Sequence, residues 1–292
     1  MKSLRRIFAV LIIMSAAICV TPHKAAAQAQ VSVSFQLFYD QLSPYGQWVN
    51  YPSTGYVWIP NAGAGFSPYA SGGHWVLTEF GWTWVSDYPW GWAPFHYGRW
   101  NFEPQYGWIW IPGNVWGPAW VTWRSSPGYY GWVPMGYGRD NDDQHWVFVK
   151  DRDIDRPDIN RYYVNHSNNV TIIKNSTIIQ NTYVDKSRNV TYNAGPDKAD
   201  VQKVKGKPVK PVAVQDNPTP GEKLDKGQLK IYRPEVEKNN GAYHPAKVED
   251  INNVKPQQQS EKHNGQQQQQ SSPDKNKNKN KKQGSEPTPP NK

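Results

Sequence analysis

Residues 81–124 read GWTWVSDYPWGWAPFHYGRWNFEPQYGWIWIPGNVWGPAWVTWR, and the spacing inside this stretch continues into the residues before it. Gly46-Gln47-Trp48 is followed by Gly55-Tyr56-Val57-Trp58, Gly73-His74-Trp75 by Gly81-Trp82-Thr83-Trp84, and Gly98-Arg99-Trp100 by Gly107-Trp108-Ile109-Trp110. Trp58, Trp84 and Trp110 are 26 residues apart, and a degraded fourth copy ends in Gly131-Trp132-Val133-Pro134. A fixed period of this kind signals a repeat architecture. Each unit is Gly-x-Trp, a short connection, Gly-aromatic-x-Trp, and a loop rich in Pro and Gly. Short aromatic and β-branched runs punctuated by Gly and Pro predict strands and turns, hence one β-hairpin per unit. The expected fold is all-β: an antiparallel sheet of Trp-rich hairpins in units of about 26 residues, followed by a disordered basic tail.

Strand periodicity adds a constraint. Side chains alternate between faces, so Trp82 and Trp84, Trp108 and Trp110, and Tyr56 and Trp58 share one face. Thr83 and Val85, Ile109 and Ile111, and Val57 and Ile59 share the other. With both faces apolar, the sheet is covered on two sides, or one aromatic face is left open to a ligand. A buried aromatic removes about 150–250 Å² from water, on the order of 4–6 kcal/mol before entropy, and most of the tryptophans are expected in the core. Trp90, Trp92, Trp116 and Trp120 lie in loops beyond the repeated strands and are the rings expected at the surface. Flat rings stack on sugars while neighbouring polar groups orient them. These four, with His96 and Arg99 as hydrogen-bonding partners, are the candidate ligand-binding residues; for each, the competing role is loop packing.

At the N-terminus Lys2, Arg5 and Arg6 precede an apolar run from Ile7 to Val20 and the small-residue stretch Ala25-Ala26-Ala27-Gln28-Ala29, the pattern of a secretory signal peptide over residues 1–29. The apolar run is shorter than the roughly 20 residues a span needs, so no transmembrane segment is expected in the mature chain. The sole cysteine, Cys19, lies inside this signal, with Ile18 where a lipoprotein needs a small residue. The exported chain is therefore expected to hold its core without disulfides.

A Trp-rich β domain is expected over residues 30–150, because all fifteen tryptophans fall between Trp48 and Trp146. Residues 151–195 read as an Asp/Arg connector followed by an Asn/Thr/Ile-rich β extension. Asp151, Asp153 and Asp155 alternate as in a calcium loop, with Asp140, Asp142 and Asp143 as possible partners. Arg156 and Tyr162 occupy the positions where such a loop requires Gly and Glu, so no metal is expected. Between Val164 and Val184, Thr-Ile-Ile units separated by Asn and Ser favour strands. Asn-x-Ser/Thr matches at Asn169, Asn175 and Asn189 arise easily in so Asn-rich a region. Residues 197–292 carry a net charge of +7 against −2 for residues 28–196. With few aromatics, the run Gln266 to Gln270 and Lys-Asn alternation from Lys275 to Lys281, residues 196–292 are expected to be disordered, with islands such as Leu229-Lys230-Ile231-Tyr232 docking transiently. Such a tail attaches to anionic polymers within about 10 Å at 0.1 M salt. Its lysines lack the interleaved aromatics of dedicated nucleic-acid recognition.

The run Trp90-Gly91-Trp92-Ala93-Pro94-Phe95-His96-Tyr97-Gly98-Arg99-Trp100, with Gly107-Trp108-Ile109-Trp110-Ile111-Pro112 and Trp116-Gly117-Pro118-Ala119-Trp120, resembles an uncharacterised, DUF6600-like family of exported bacterial Trp-rich proteins. The resemblance covers roughly residues 38–185, implies a bacterial envelope location, periplasm or cell surface, and carries no catalytic residues. A looser similarity links the units to the Gly-Trp hairpins of choline-binding wall proteins, whose repeats are shorter and more regular.

The expected function is that of a noncatalytic envelope protein binding glycan or wall polymer through exposed aromatics, with the tail on an anionic polymer. The alternative is a scaffold that engages a protein partner through its aromatic sheet. An enzyme reading finds only Glu79, Asp87 and Glu103 as possible glycosidase carboxylates. There is no Gly-x-Ser-x-Gly elbow, no His-Glu-x-x-His and no cysteine nucleophile, and no cofactor is expected.

Overall fold

Four antiparallel hairpins carry the repeated tryptophans. A short strand β1 (Ser32–Val33) and helix α1 (Gln36–Leu42) come first. The hairpins are β2 (Gly46–Tyr51) with β3 (Gly55–Pro60), β4 (Gly73–Thr78) with β5 (Gly81–Ser86), β6 (Arg99–Glu103) with β7 (Gly107–Ile111), and β8 (Val121–Ser126) with β9 (Tyr129–Pro134). The structure is a computed structural model that describes residues 32–52, 54–136 and 144–254. The signal segment with Cys19, the three aspartates at 140, 142 and 143, and the Gln- and Lys-rich stretch after residue 254 lie outside the described residues.

The registers explain the motif. Trp48 faces Trp58, Trp75 faces Trp84, Trp100 faces Trp110 and Trp123 faces Trp132 across their hairpins, and all eight are buried. The two glycines of a unit have different duties. At Gly46, Gly73 and Gly98 a Cβ would come within 2.8 Å of an indole atom of Trp58, Trp84 or Trp110, so only the absent side chain lets the partner strand's Trp lie flat there. At Gly55, Gly81 and Gly107 the turn takes φ of +85°, +93° and +73°, which costs a side chain about 1 kcal/mol or more.

The hairpins do not continue one sheet, as the repeat suggested. Strands β3 and β7 pair at Trp58 and Trp110, placing Trp48, Trp58, Trp110 and Trp100 in a row across one sheet, while β4–β5 stands alone. Strand β10 (Val147–Lys150) pairs with β9, giving a separate sheet. The Pro/Gly-rich loops let each hairpin turn its Trp pair toward a common centre. There the Trp75 ring meets Trp84, Trp123 and Trp132 at 5.1, 4.6 and 5.5 Å. A single sheet would leave those indoles facing water.

The opposite faces are covered by residues C-terminal to the hairpins. Where strands were expected, residues 169–174 form helix α2 (Asn169–Lys174), which packs Ile172 on Val133, Trp146 and Phe148. Asn169 donates its side-chain amide to the Trp146 carbonyl at 2.7 Å. Tertiary cover overrides local β propensity here. Strand β11 (Thr177–Ile178) then extends the sheet beside β8, and β12 (Thr182–Asp185) with β13 (Val190–Asn193) makes a hairpin.

Residues 196–254, expected to be disordered, are folded. They contain helix α3 (Lys198–Lys205) and strands β14 (Ala213–Asp216), β15 (Glu222–Asp225), β16 (Gln228–Ile231), β17 (Glu235–Val236) and β18 (Glu249–Asp250). Val201, Val209, Leu229, Ile231 and Val236 join the main core. Strand β17 pairs in parallel with β1, and β18 with β2. Val254 and Ile251 close over Val49, Val57, Ile59 and Ile109, the outward face of the Trp row. Too poor in apolar residues to build a core of its own, this segment completes the core of the Trp hairpins. Among the described residues no helix is long and apolar enough to cross a membrane.

This packing is open to two tests. Gly98 combines φ of +67° with a Cβ position 2.2 Å from the Ile111 carbonyl, whereas Gly128, at +82°, has open space around it. Gly98→Ala is expected to shift the denaturant midpoint well beyond the roughly 1 kcal/mol of Gly128→Ala; equal shifts would contradict the packing. Burial raises the phenols of Tyr39, Tyr69, Tyr97, Tyr130, Tyr163 and Tyr192, Tyr39 and Tyr130 to about 12. Because their folded values lie above the ordinary 10, their contribution is complete below about pH 10 and is lost as pH rises through the folded values. Stability should hold to about pH 10 and then fall, with tyrosinate absorbance of these residues appearing together with unfolding. Their free titration in a folded protein near pH 10 would refute the burial.

Candidate functional site

The stretch from Trp90 to Gly98 cannot run as a helix through Gly91 and Pro94, and it folds as successive turns. Gly91 N–H donates to the Tyr88 carbonyl at 2.9 Å and Tyr97 N–H to the Ala93 carbonyl at 2.8 Å. The turns send Trp90 and Trp92 inward. Trp90 stacks on Tyr88 with ring centres 4.5 Å apart and meets Trp58 at 5.1 Å; Trp92 meets Phe38 and Tyr232 at 6.1 and 5.2 Å.

The loop between β7 and β8 brings Trp116 and Trp120 to the same turns. The His96 carbonyl accepts from Gly117 N–H and from the Trp120 indole, both at 2.9 Å. The His96 ring stacks on Trp116 with centres 5.7 Å apart and 9° between planes. The Arg99 guanidinium lies 3.6 Å from the centre of the Trp120 ring, and those of Arg233 and Arg188 lie 5.2 and 5.6 Å from that of Trp116.

Of the six sequence-predicted residues, His96, Arg99, Trp116 and Trp120 thus form one cluster, and Trp90 and Trp92 belong to neighbouring regions of the core. The expectation that the four loop rings are exposed is overturned: Trp90, Trp92, Trp116 and Trp120 are 4, 2, 2 and 6 % exposed. The loops fold back into the space between the sheets, where a ring loses far more water contact than it would at the rim. Burial leaves these four rings no open face for a sugar.

The cluster contains a partner that sequence reasoning missed. Glu222, on β15, places Oε2 3.4 Å from His96 Nε2 and accepts the Ser86 N–H on Oε1 at 3.1 Å. The His96 and Glu222 side chains are 0 and 2 % exposed. A Cβ on Gly91 would fall 2.7 Å from Glu222 Oε1, so this glycine makes room for the carboxylate. Because the Gly117 carbonyl can only accept, His96 Nδ1 donates to it at 2.9 Å, which turns Nε2 toward the Glu222 carboxyl group. Burial pushes the Glu222 carboxyl above its ordinary range, opposed by its bond to His96. Sealed from solvent, the pair fastens the C-terminal segment to the Trp turns. The alternation Leu229-Lys230-Ile231 was the only sequence signal that this segment docks, and it did not single out Glu222.

The other carboxylates do not converge. Glu79 lies at the closed end of the β4–β5 hairpin and Asp87 just past its open end. The strand between them, five residue steps at about 3.3 Å, keeps them more than roughly 17 Å apart, against the about 5–9.5 Å of glycosidase carboxylate pairs. Glu103 closes the separate β6–β7 hairpin. In the connector, Asp153, Asp155 and Asp158 pair with Arg156, Lys205 and Arg161. Among the described residues no group of three or more His, Cys, Asp or Glu side chains is placed to hold a metal.

Residues 39–139, which contain all four Trp hairpins and the His96 turns, match the model of DUF6600, a family of unknown function. The match ends short of residue 185 and leaves β15, which carries Glu222, outside it. No curated protein and no solved structure matches the chain.

The buried pair makes a testable prediction. Glu222→Ala leaves His96 Nε2 and the Ser86 N–H buried without their partner, and is expected to cost about 3–5 kcal/mol in denaturant unfolding. Glu222→Gln keeps an acceptor for Ser86 and should cost less. Since the folded carboxyl titrates above its ordinary value, its contribution is complete below about pH 4.3 and lost as pH rises through the raised value. Glu222→Gln should therefore lack that decline when stability is followed from pH 4 to 8, and identical pH profiles for the two proteins would refute the assignment.

Proposed function

We propose that this protein is a noncatalytic, exported cell-envelope protein of a bacterium that holds an anionic envelope polysaccharide through surface cations, with its tryptophans as the rigid scaffold. The observation that carries this reading is the burial of all four loop rings expected to stack on sugar. Recognition then falls to charge. Residues 255–292 carry eight lysines against three acidic residues, enough for attachment at low ionic strength. Export is supported by the signal-like residues 1–29. A structural role for the sealed His96–Glu222 pair and the separation of Glu79 from Asp87 favour binding over catalysis.

A protein-scaffold role is the second reading. The aromatic faces are covered and do not supply its interface, but Ile178, on the short strand β11, and Val184, on β12, are 48 and 56 % exposed.

Co-sedimentation of the full chain, and of a chain ending at Val254, with purified lipopolysaccharide and peptidoglycan tests the proposal. Truncation at Val254 preserves every described strand, whereas truncation at residue 197 would remove a portion of the core. The full chain is expected to bind, with binding weakened by the truncation and lost as salt approaches 1 M, where screening falls to about 3 Å. Absence of binding at low salt, or binding indifferent to salt, would overturn the proposal. A multimer sedimenting without polymer, and dissociated by Val184→Lys, would favour the scaffold instead.

A further inference from the structure

The connector after β10 forms a groove of about 480 Å³ lined by Lys150, Arg152, Asp153, Arg156, Tyr162 and Tyr163, within the range of small-ligand sites, about 300–1,000 Å³. Its walls are held firmly. Ile154 and Ile159 are fully buried in the main core. Val164 N–H returns to the Phe148 carbonyl at 2.8 Å, so the loop closes on the strand it left. Tyr163 donates its hydroxyl to the Ala70 carbonyl at 2.9 Å, and Lys205 of α3 pairs with Asp155 and donates to the Arg152 carbonyl.

The charges in the lining are unbalanced: three cations face one carboxylate. Asp153, 6 % exposed, accepts from Arg156 Nε at 3.0 Å and lies 4.0 Å from Arg152 Nε. The Arg156 guanidinium also lies 4.8 Å from the centre of the Tyr162 ring. Asp153 and Tyr162 thus hold the guanidinium plane in place, and its two Nη groups keep the fork that matches a carboxylate or phosphate. Arg152, with its side chain 63 % exposed, and Lys150 add positive charge at the rim. The phenol rings and Val164 supply apolar surface beside these cations, as a sugar ring requires.

We propose that this groove holds the oxyanion of an acidic saccharide, the charged group lying on Arg156 and Arg152 and the ring against the tyrosine wall. The inference rests on the polysaccharide-binding reading and names the place on the folded domain where a single sugar of such a polymer sits. A uronic acid and a sugar phosphate share the required chemistry, and the probes separate them.

The test is calorimetric titration of the full chain at low salt with trigalacturonate, glucose 6-phosphate and neutral maltotriose. It is run on the wild type, Arg152→Ala, Arg156→Lys and the control Lys223→Ala, which removes a charge outside the groove lining. One or both anionic probes should bind and maltotriose should not. Arg156→Lys, which keeps the charge but loses the fork, should weaken binding roughly tenfold, Arg152→Ala by a similar factor, and Lys223→Ala less than about twofold. Thermal unfolding of each variant separates loss of fold from loss of site, and Arg152, mostly in solvent, provides the fold-neutral variant. Equal weakening by all three substitutions would reduce the groove to general electrostatic attraction and overturn the proposal. So would co-sedimentation with lipopolysaccharide unchanged in the Arg152 and Arg156 variants, an outcome that leaves polymer binding itself intact. Failure of every probe and of the polymer to bind would remove both.

Discussion

The rest of the structure depends on one constraint: the second strand of every Trp hairpin carries apolar side chains on both faces. Such a strand has no side to give wholly to water, so each hairpin needs cover on both sides of its second strand. The inward face is solved by the hairpins themselves, which turn their facing Trp pairs toward one another. The outward face cannot be solved that way, and its cover comes from residues far along the chain. Ile251 and Val254 cover the first sheet, and Ile172 on α2 covers the second.

A core built from indoles brings a polar difficulty, because each ring has an N–H to satisfy. Among the described residues seven tryptophans donate it to a backbone carbonyl, for example Trp58 to Leu42, Trp110 to Tyr97 and Trp132 to Tyr69. Those bonds fix the turns and helix α1 against the strands. Trp75, Trp84, Trp116 and Trp123 bury theirs without a partner among the described residues, at about 1–3 kcal/mol each. The cost is offset where these rings meet other aromatics edge to face, an arrangement worth about 0.5–1.5 kcal/mol beyond the area buried. The Gly-x-Trp unit belongs to the same solution, since an indole can lie across a neighbouring strand only where that strand has no side chain.

The same packing redirects the question of recognition. Rings consumed by the core cannot stack on a ligand, and the four loop tryptophans are as deeply placed as those on strands. Charge is exposed in the connector groove around Arg152 and Arg156. The His96–Glu222 pair, remote in sequence, ties the segment carrying β15 to the turns of the WGWAPFHYGRW stretch. The charged surface is therefore carried by a chain locked on itself at many points.

The hairpins, their turns and the shared face of tryptophans two residues apart were legible in the sequence, because strand periodicity and Gly-marked turns are local properties; the registers that set Trp against Trp across each hairpin were not. The need for a second cover was legible too, since Val57 and Ile59 alternate with Tyr56 and Trp58. The identity of that cover was not. Residues 196–254 look disordered by composition, and residues 169–174 look like a strand by propensity, because both judgements treat a segment as if it folded alone. The site was legible only as a set of residue types. His96, Arg99, Trp116 and Trp120 do meet, but whether a loop indole faces solvent or a neighbouring sheet depends on how hairpins pack across many residues of separation. Local chemistry therefore determined the hairpin and its two apolar faces. Only the tertiary structure decided which distant segments cover them, because burial is settled by the whole set of surfaces competing to leave water.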